Sequence, residues 1–288
     1  MRAVIIGNRG AGRAGGERQL ERCAEILESG GVEAEIWSTE YPEHATELAT
    51  KAGDGLIVAA GGDGTVNEVI NGLSIDATLG ILPLGTANVL ARELDLPLKL
   101  EPACRRIVEG RSMRMDLGVA TDGEGIERRF ACMAGLGFDA NVVSEVTPPM
   151  KRHLRTSAFT LTAFQVYFKN MLPEFEIVRG DEIYTTQFAI VANSSHYGGE
   201  FKVMDEGSLT SGELSVVMVE RVGTLLRPDH LGRILSRQPL SGFSPTFSDE
   251  EISARPLGDK VPVQLDGEVW GSLPMSFRVE PASLNVIR

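Results

Sequence analysis

Residues 61–68, Gly-Gly-Asp-Gly-Thr-Val-Asn-Glu, constrain the fold more than any other part of the chain. They follow an apolar run, 56–60, that predicts a short buried strand, and they lead into 66–73, whose apolar residues have helical spacing. Glycine lets backbone N–H groups approach an anion closely, and a helix N-terminus adds N–H donors and the positive end of the helix dipole. This first glycine turn (residues 61–65) therefore predicts a site that holds phosphate.

Two side chains of the first glycine turn can take part in chemistry. Asp63 would place a carboxylate beside the phosphates, where it could hold a metal ion or accept a proton. Thr65 could cap the helix or donate its hydroxyl to a phosphate. The alternative is an ordinary glycine-rich turn between a strand and a helix, but such a turn does not call for three glycines and an acid.

A second glycine turn (residues 83–88, Pro-Leu-Gly-Thr-Ala-Asn) follows another apolar strand, 79–82, and precedes a predicted helix, 89–94. The carboxyl ends of parallel strands meet at one edge of a sheet, where open α/β sheets bind ligands. We therefore expect the two glycine turns to lie side by side. The chain has no Walker A pattern, which argues against a P-loop enzyme.

The loop before the first helix contains Gly-Ala-Gly-Arg-Ala-Gly at 10–15, a literal dinucleotide fingerprint. Its first glycine lies beyond the tip of the strand, so the fingerprint is weak here, although Glu40 could serve as the ribose acid. A phosphate-facing loop with Asn8 as a side-chain contact and a flexible surface loop both stay open.

Strands and helices alternate up to about residue 110, which implies a parallel sheet covered on both faces. Short strands and Asp-Gly turns then predict antiparallel structure. The predicted fold class is α/β with two domains. Residues 1–115, which 280–288 could rejoin, would form a three-layer parallel-sheet nucleotide-binding domain, and 116–279 would form a mostly antiparallel β-sandwich. The strands predicted in this second part are 113–120, 126–133, 175–178, 183–192, 214–219, 261–265 and 275–279.

Composition excludes several classes of protein. The chain has 288 residues and a formal net charge of -12, which argues against non-specific nucleic-acid binding and against a polybasic membrane anchor. Three cysteines without metal-site spacing predict a reduced, cytoplasmic compartment. No apolar run approaches the roughly 18 residues of a membrane span, and the first seven residues predict a strand rather than a signal peptide.

Residues 61–69 and 82–94 resemble the catalytic region of the diacylglycerol kinase and sphingosine kinase superfamily of lipid kinases, most of all its soluble bacterial members. Further patches agree and follow the family's order along nearly the whole chain. These patches are Gly-Leu-Gly-Phe-Asp-Ala at 135–140, Tyr-Gly-Gly at 197–199, Gly-Glu-Leu at 212–214 and Leu-Asp-Gly-Glu at 265–268.

The resemblance implies a lipid kinase that uses ATP and Mg²⁺ and phosphorylates a lipid alcohol, such as diacylglycerol or a sphingoid base, in a cleft between two domains. It implies a cytoplasmic protein with transient, peripheral contact with a membrane surface, and it leaves a homo-oligomer open. Asn8 and Thr39 would contact the nucleotide, and Thr86, with Gly85, would reach the phosphates from the second glycine turn. The phosphate cradle implied by the family consists of Gly61, Gly62, Asp63, Gly64, Thr65, Val66 and Asn67.

The resemblance also implies a general base in the Asp-Gly-Glu turn at 266–268. Glu268 matches the family's proposed base, Asp266 is its rival, and Asp63 is a third candidate. Phosphoryl transfer needs a placed base, a metal and charge neutralisation, and this turn projects two acids at one point. The alternative is a plain Asp-Gly hairpin turn.

One departure concerns a structural magnesium site. Bacterial members often carry Asp-Gly before a strand as part of it, and here Ser211 replaces that acid before Gly212. Ser208 and Glu213 stand where backbone carbonyls would complete the site. Loss of the only anionic ligand weakens a hard-cation site, so we expect no structural Mg²⁺ of the family type. Cys132 stands where the family often has Asn.

A local basic cluster, 151–155, precedes an apolar, aromatic-rich segment, 157–168, that predicts a helix. A site facing an anionic membrane or lipid phosphate and a solvated helix start are equal alternatives. Two other functions remain open for the whole chain. One is a kinase of a soluble substrate such as NAD, and the other is a non-catalytic protein that binds nucleotide or lipid.

Overall fold

The computed structural model describes residues 2–8, 16–145, 166, 169, 172–197, 201–204, 208–227, 229–230, 232, 236, 238–239, 241 and 244–288. The predicted dinucleotide loop at 10–15, the basic cluster at 151–155 and all of the apolar segment 157–168 except Val166 lie outside these residues. The chain divides into two compact units. Unit 1 comprises Met1–Leu117 and Pro281–Arg288, and unit 2 comprises Gly118–Glu280.

Unit 1 alternates strands and helices, as the sequence predicts. Its elements are β1 (Arg2–Gly7), α1 (Gly16–Ser29), β2 (Glu33–Ser38), α2 (His44–Ala52), β3 (Leu56–Gly61), α3 (Asp63–Gly72), β4 (Thr78–Pro83), α4 (Val89–Glu93) and α5 (Leu100–Glu109). Gly110 ends α5 with a positive φ of 68°. The sheet order is β2-β1-β3-β4, and every pair is parallel.

The sheet of unit 1 is covered on both faces. Ile5 and Val58 share a core with Leu20 of α1 and Ile107 of α5. Side chains alternate along a strand, so the buried neighbour Ile6 points to the opposite face, where α2 packs against β1 and α3 against β3. Helix, sheet and helix layers make this a three-layer α/β domain.

Unit 2 is built almost entirely of antiparallel strands. Its elements are β5 (Ser112–Asp122, which begins in unit 1), β6 (Glu127–Phe130), β7 (Met133–Gly137), α6 (Phe138–Glu145), β8 (Phe175–Arg179), β9 (Glu182–Thr186), β10 (Phe188–Ala192), β11 (His196–Tyr197), β12 (Phe201–Lys202), β13 (Leu214–Val219), a 3₁₀ helix (Val222–Leu226), β14 (Thr246–Asp249), β15 (Glu251–Pro256), β16 (Pro262–Leu265), β17 (Glu268–Ser272) and β18 (Met275–Ile287).

Two sheets form the sandwich of unit 2. One has the order β14-β13-β10-β7-β16-β17, and the other pairs β18, β15, β8 and β9 in that order, with β5 and β6 attached at β18. Both sheets contribute to one core, with Leu136 and Val263 from the first and Ile177 and Phe277 from the second. The predicted antiparallel β-sandwich is confirmed.

The last strand takes part in both units. The first residues of β18 pair with β15 in unit 2, whereas Asn285 and Val286 lie opposite Thr78 and Leu79 of β4 in a parallel register. The return of the C-terminus to the first sheet, left open by the sequence, is therefore observed.

Two predicted strands are wrong in extent. The predicted strand 126–133 ends at Phe130, and β7 starts at Met133. The strand is interrupted because the N–H groups of residues 131–133 donate to the carboxylate of Asp266. The predicted strand 183–192 is two strands in different sheets, β9 and β10, separated at Gln187. The hydroxyl of Thr186 lies 2.8 Å from the Val219 carbonyl oxygen at this break.

Within the part of the chain that the structure describes, no helix has the length and apolar character needed to cross a membrane.

The pairing of β18 with β4 predicts that the C-terminal residues stabilise unit 1. Val286 is fully buried, so Val286→Ala should lower the free energy of unfolding by about 2 kcal/mol through lost burial and the resulting cavity. Urea denaturation followed by circular dichroism measures this. Val269→Ala is the matched control, since Val269 is 47% exposed. Equal midpoints for both variants would contradict the pairing.

Candidate functional site

The predicted nucleotide contacts follow the carboxyl ends of four neighbouring strands. Asn8 comes directly after β1, Thr39 after β2, Gly62 after β3 and Gly85 shortly after β4. The strand ends are in register, with Gly7 opposite Ser38 and Ala60, and Gly61 opposite Pro83. The structure thus brings these residues to one edge of the sheet, where parallel sheets bind ligands.

The two glycine turns touch through their backbones. A Cβ atom added to Gly85 would lie 2.5 Å from the Cα of Gly62, closer than any real carbon contact. The N–H of Leu84 also donates to the carbonyl oxygen of Gly61 at 2.9 Å. Glycine is required here by the close approach itself, and the predicted side-by-side arrangement is confirmed.

The first glycine turn is largely the start of a helix. Gly62 is the N-cap of α3, and its carbonyl accepts the N–H of Val66 at 3.1 Å. Helix α3 therefore begins at Asp63, three residues before the predicted start. The first N–H groups of a helix lack intrahelical partners and carry the positive dipole end, so residues predicted as a phosphate loop form the helical terminus that favours an anion.

The carboxylate of Asp63 joins the two glycine turns. Its Oδ2 accepts the N–H of Asn88 at 2.9 Å, and its Oδ1 accepts the N–H of Val89 at 2.6 Å. Val89 is the first residue of α4, so Asp63 caps that helix from another part of the chain. A carboxylate oxygen can accept more than one hydrogen bond, so this role is compatible with the predicted contact with a metal or phosphate.

Asn88 is a site residue that the sequence interpretation did not select. It adopts a left-handed conformation with φ 50°, which Asn tolerates better than most residues. Its Oδ1 accepts the N–H of Gly85 at 3.0 Å, and its Nδ2 donates to the carbonyl of the same residue at 3.0 Å. The position of Asn at the end of the second glycine turn was the available signal.

The other residues predicted to contact the phosphates, from both glycine turns, differ in their exposure to solvent. Gly85 and Thr86 are exposed and Gly64 and Thr65 are half-buried. Val66 and Asn67 have buried side chains. Oδ1 of Asn67 accepts a hydrogen bond from Nδ2 of Asn71, a residue of the same helix, at 3.2 Å. The side chains of Val66 and Asn67 are therefore packed within unit 1.

The predicted base lies in unit 2, on the turn between β16 and β17. Asp266 has φ 48° and Gly267 has φ 91°, and Leu265 pairs with Glu268 across the turn. Two positive φ values in a two-residue loop are the signature of a type I′ hairpin, for which Asp-Gly is a favoured sequence. The hairpin reading of this motif is correct, and it is compatible with a chemical role for either acid.

The two acids of this hairpin are in different environments. The Asp266 carboxylate accepts the N–H groups of Ala131, Cys132 and Met133 at 2.8, 2.9 and 3.0 Å. These bonds interrupt the strand predicted over 126–133. Glu268, by contrast, is exposed at the start of β17. Asp266 organises the connection between β6 and β7, whereas Glu268 presents its side chain to solvent.

The loop predicted to have lost a magnesium site is bridged by a hydroxyl group. Oγ of Ser211 lies 3.2 Å from the carbonyl oxygen of Ser208 and 3.1 Å from that of Glu213, the two carbonyls predicted as ligands. The N–H of Glu213 donates to the same Oγ at 3.3 Å. Without the carboxylate that Ser211 replaces, these three positions offer only neutral oxygens, and this weakens the binding of a hard divalent cation. Among the described residues, no group of three or more His, Cys, Asp or Glu side chains could hold a metal ion.

The comparisons with known proteins place this two-unit chain in the kinase class. Residues 2–120 match the diacylglycerol kinase catalytic domain, and residues 132–288 match the YegS C-terminal NAD kinase beta sandwich-like domain. The chain therefore belongs to the diacylglycerol kinase-like family that combines these two domains, a family of phosphotransferases acting on an alcohol group.

Curated relatives match over nearly the whole chain. The chain is 29% identical to a diacylglycerol kinase of Staphylococcus saprophyticus subsp. saprophyticus over 287 residues, covering 96% of this chain and 92% of the relative. A diacylglycerol kinase of Staphylococcus aureus strain MRSA252 is 28% identical, with 96% and 89% covered.

Solved structures show the same fold. A crystal structure of a diacylglycerol kinase from Bacillus anthracis str. Sterne superposes with a TM-score of 0.74 at 20% identity, covering 99% of this chain and 96% of that one. A second structure from the same organism gives a TM-score of 0.82 at 21% identity, covering 99% and 94%.

The position of Asp63 predicts a combined effect on stability and activity. Asp63→Ala removes two charge-assisted hydrogen bonds and should destabilise unit 1 by roughly 2–4 kcal/mol, besides abolishing phosphoryl transfer. Thermal unfolding and an ATP-consumption assay measure the two effects. Asp76→Ala is the control, because Asp76 is an exposed acid of the same unit. Unchanged stability of Asp63→Ala would argue against the bridging role.

The Ser211 bridge predicts a loop that does not need a metal. The unmodified protein without nucleotide should melt at the same temperature with Mg²⁺ as with a chelator. Ser211→Asp should introduce a rise in melting temperature that depends on Mg²⁺, and Ser211→Asn, which lacks the charge, should not. A magnesium-dependent rise in the unmodified protein would refute the loss of the site.

Proposed function

We propose that this protein is an ATP- and Mg²⁺-dependent lipid kinase that transfers the γ-phosphoryl group of ATP to the hydroxyl of a lipid such as diacylglycerol or a sphingoid base. The observation that carries the proposal is the backbone contact between Gly62 and Gly85 at the sheet edge, beside the N-terminus of α3. At this contact the first N–H groups of α3 and the exposed hydroxyl of Thr86 lie on adjacent turns, where both would reach a chain of phosphates. Membership of the diacylglycerol kinase-like family supports the same chemistry.

The positions of the residues at the sheet edge support the following nucleotide roles. Asn8 and Thr39 would contact the nucleoside side of ATP, and the N-terminus of α3 would bind its phosphates. Thr86 is exposed on the second glycine turn and would donate its hydroxyl to a phosphate oxygen. Mg²⁺ enters with ATP as part of the co-substrate and neutralises the phosphate charge. Asp63 would hold the two turns at the spacing that the phosphates need.

The acceptor side needs a base. In the transfer, the bond between the γ-phosphorus and the bridging oxygen of ADP breaks, and a bond from the lipid oxygen to phosphorus forms. The hydroxyl proton would pass to the carboxylate of Glu268. We favour Glu268 over Asp266 because the oxygens of Asp266 already accept three backbone N–H groups. Proton acceptance by a placed group typically contributes about 10²–10⁴-fold.

A lipid acceptor also implies contact with a membrane surface, since diacylglycerol and sphingoid bases reside in bilayers. We propose a peripheral and transient contact by a cytoplasmic protein. The description of the second domain as NAD kinase beta sandwich-like keeps NAD as a second candidate acceptor. An assay that compares these acceptors under the same conditions identifies which of them is phosphorylated.

The test is a panel of acceptors incubated with γ-labelled ATP and Mg²⁺, followed by mass spectrometry of the products. Diacylglycerol, sphingosine and monoacylglycerol are presented in mixed micelles, and NAD and sugar phosphates are presented in buffer. We expect label in a lipid product. Label in NAD phosphate alone would replace the proposal with the soluble-substrate kinase, and nucleotide binding without any labelled product would favour a non-catalytic role.

The proposed base gives a specific prediction. Glu268→Gln keeps the size and hydrogen bonding of the side chain but removes its basicity, so kcat should fall by about 10²–10⁴-fold while the KM for ATP changes little. Glu251→Gln is the matched control, another exposed glutamate that begins a strand of unit 2. If Glu268→Gln keeps its kcat and Asp266→Asn loses it in a folded protein, the base is Asp266.

A further inference from the structure

A buried pair of polar side chains lies directly behind the Asp266–Glu268 hairpin. Oε1 of Gln264 accepts the N–H of Gly267 at 2.6 Å, and Nε2 of Gln264 donates to Oδ2 of Asp139 at 2.8 Å. Gln264 is 2% exposed and Asp139 is 3% exposed. The two side chains therefore connect α6 to the turn that carries the proposed base.

Gly135 leaves the space for this connection. A Cβ atom on Gly135 would lie 1.8 Å from Oδ2 of Asp139 and 2.5 Å from Nε2 of Gln264. No other residue fits at this position without moving both polar groups. The Gly-Leu-Gly-Phe-Asp-Ala sequence at 135–140 thus supplies both the carboxylate and the gap into which it fits.

The hairpin does not need this pair in order to form. Asp-Gly adopts a type I′ turn readily, and the Asp266 carboxylate already anchors the turn to residues 131–133. Burying a carboxylate and an amide costs free energy that only good hydrogen bonds offset. Two buried polar side chains in series, Asp139 and Gln264, end on a backbone N–H of the turn, and this arrangement points to a requirement for a fixed turn.

We propose that Gln264 and Asp139 are positioning residues that fix Gly267 and, through it, the backbone from which Glu268 presents its carboxylate. This inference rests on the proposed role of Glu268 as the base. The Asp266 carboxylate anchors the turn on one side, and the Asp139–Gln264 pair fixes the N–H of its second residue. Misplacement of a reacting group by about 1 Å can cost on the order of 10²-fold in rate, so such restraint has a measurable consequence.

A double-mutant cycle tests the proposal. Gln264→Met keeps the length of the side chain but removes both hydrogen bonds, and it should lower kcat by about 10–100-fold with little change in the KM for ATP. In the Glu268→Gln background, the same substitution should lower the residual kcat by less than about threefold, because no base remains to be positioned. Equal losses in the two backgrounds would overturn the positioning role.

A matched control separates positioning from packing. Oε1 of Gln187, a half-buried residue of the same unit, accepts the N–H of Val222 at 3.1 Å. Gln187→Met loses a bond of the same kind, so it should change the melting temperature but leave kcat unchanged. If Gln264→Met fails to fold, Asp139→Asn carries the same cycle, because it removes the charge that orients Gln264 and should cost several-fold in kcat only when Glu268 is present.

The outcomes also distinguish this role from the proposed function. If the unmodified protein phosphorylates no acceptor, the lipid kinase proposal fails and the positioning role fails with it. If it phosphorylates a lipid but Gln264→Met lowers kcat by the same factor with Glu268 as with Gln at position 268, only the positioning role fails. Hydrogen exchange of the peptide containing Gly267 adds a readout independent of activity. Exchange should be faster in Gln264→Met than in the unmodified protein, and it should be unchanged in Gln187→Met. Equal exchange in the unmodified protein and both variants would contradict the restraint.

Discussion

The bridge from the Asp63 carboxylate to the N–H groups of Asn88 and Val89 is the interaction on which the arrangement of the two glycine turns depends. The sheet and the bond from the Leu84 N–H to the Gly61 carbonyl join the ends of β3 and β4, but neither reaches the start of α4. Asp63 holds the start of α4 against the start of α3, and the absence of side chains at Gly62 and Gly85 lets the backbones meet. A charge at one helix start thus fixes the N–H donors of both turns.

In unit 2, too, a carboxylate accepts backbone N–H groups from a distant part of the chain, but there it interrupts a strand. Asp266 directs its carboxylate to three successive N–H groups, and so interrupts a strand and fixes the turn on which Glu268 lies. In both units a carboxylate that looks catalytic in the sequence is engaged with backbone amides. Such bonds favour a fixed geometry, which is why we propose the exposed Glu268 as the base in preference to these two acids.

Local patterns in the sequence were sufficient for the fold class, the two glycine turns and most strands, because each depends on neighbours within about ten residues. The errors come from distant contacts. The break after Phe130 is caused by Asp266, which is 135 residues from Ala131, and the pair Gln264 and Asp139 is separated by 125 positions. Residues 183–192 have β-branched or aromatic residues on both sides of the polar Thr185–Gln187 stretch, so the sequence favours strand throughout and does not show that the two halves pair in different sheets.

Ser211 lies between the two carbonyl groups that the family resemblance implies as magnesium ligands. A cation would draw the Ser208 and Glu213 carbonyls together by coordination, and here a hydroxyl lies within hydrogen-bonding distance of both oxygens. A hydroxyl has one proton to donate, so it satisfies one carbonyl at a time, and the N–H of Glu213 supplies part of the remaining restraint by donating to the same oxygen. The bridge is weaker than coordination but independent of metal concentration. We therefore expect any dependence of activity on Mg²⁺ to report the proposed complex with ATP and not the stability of the sandwich.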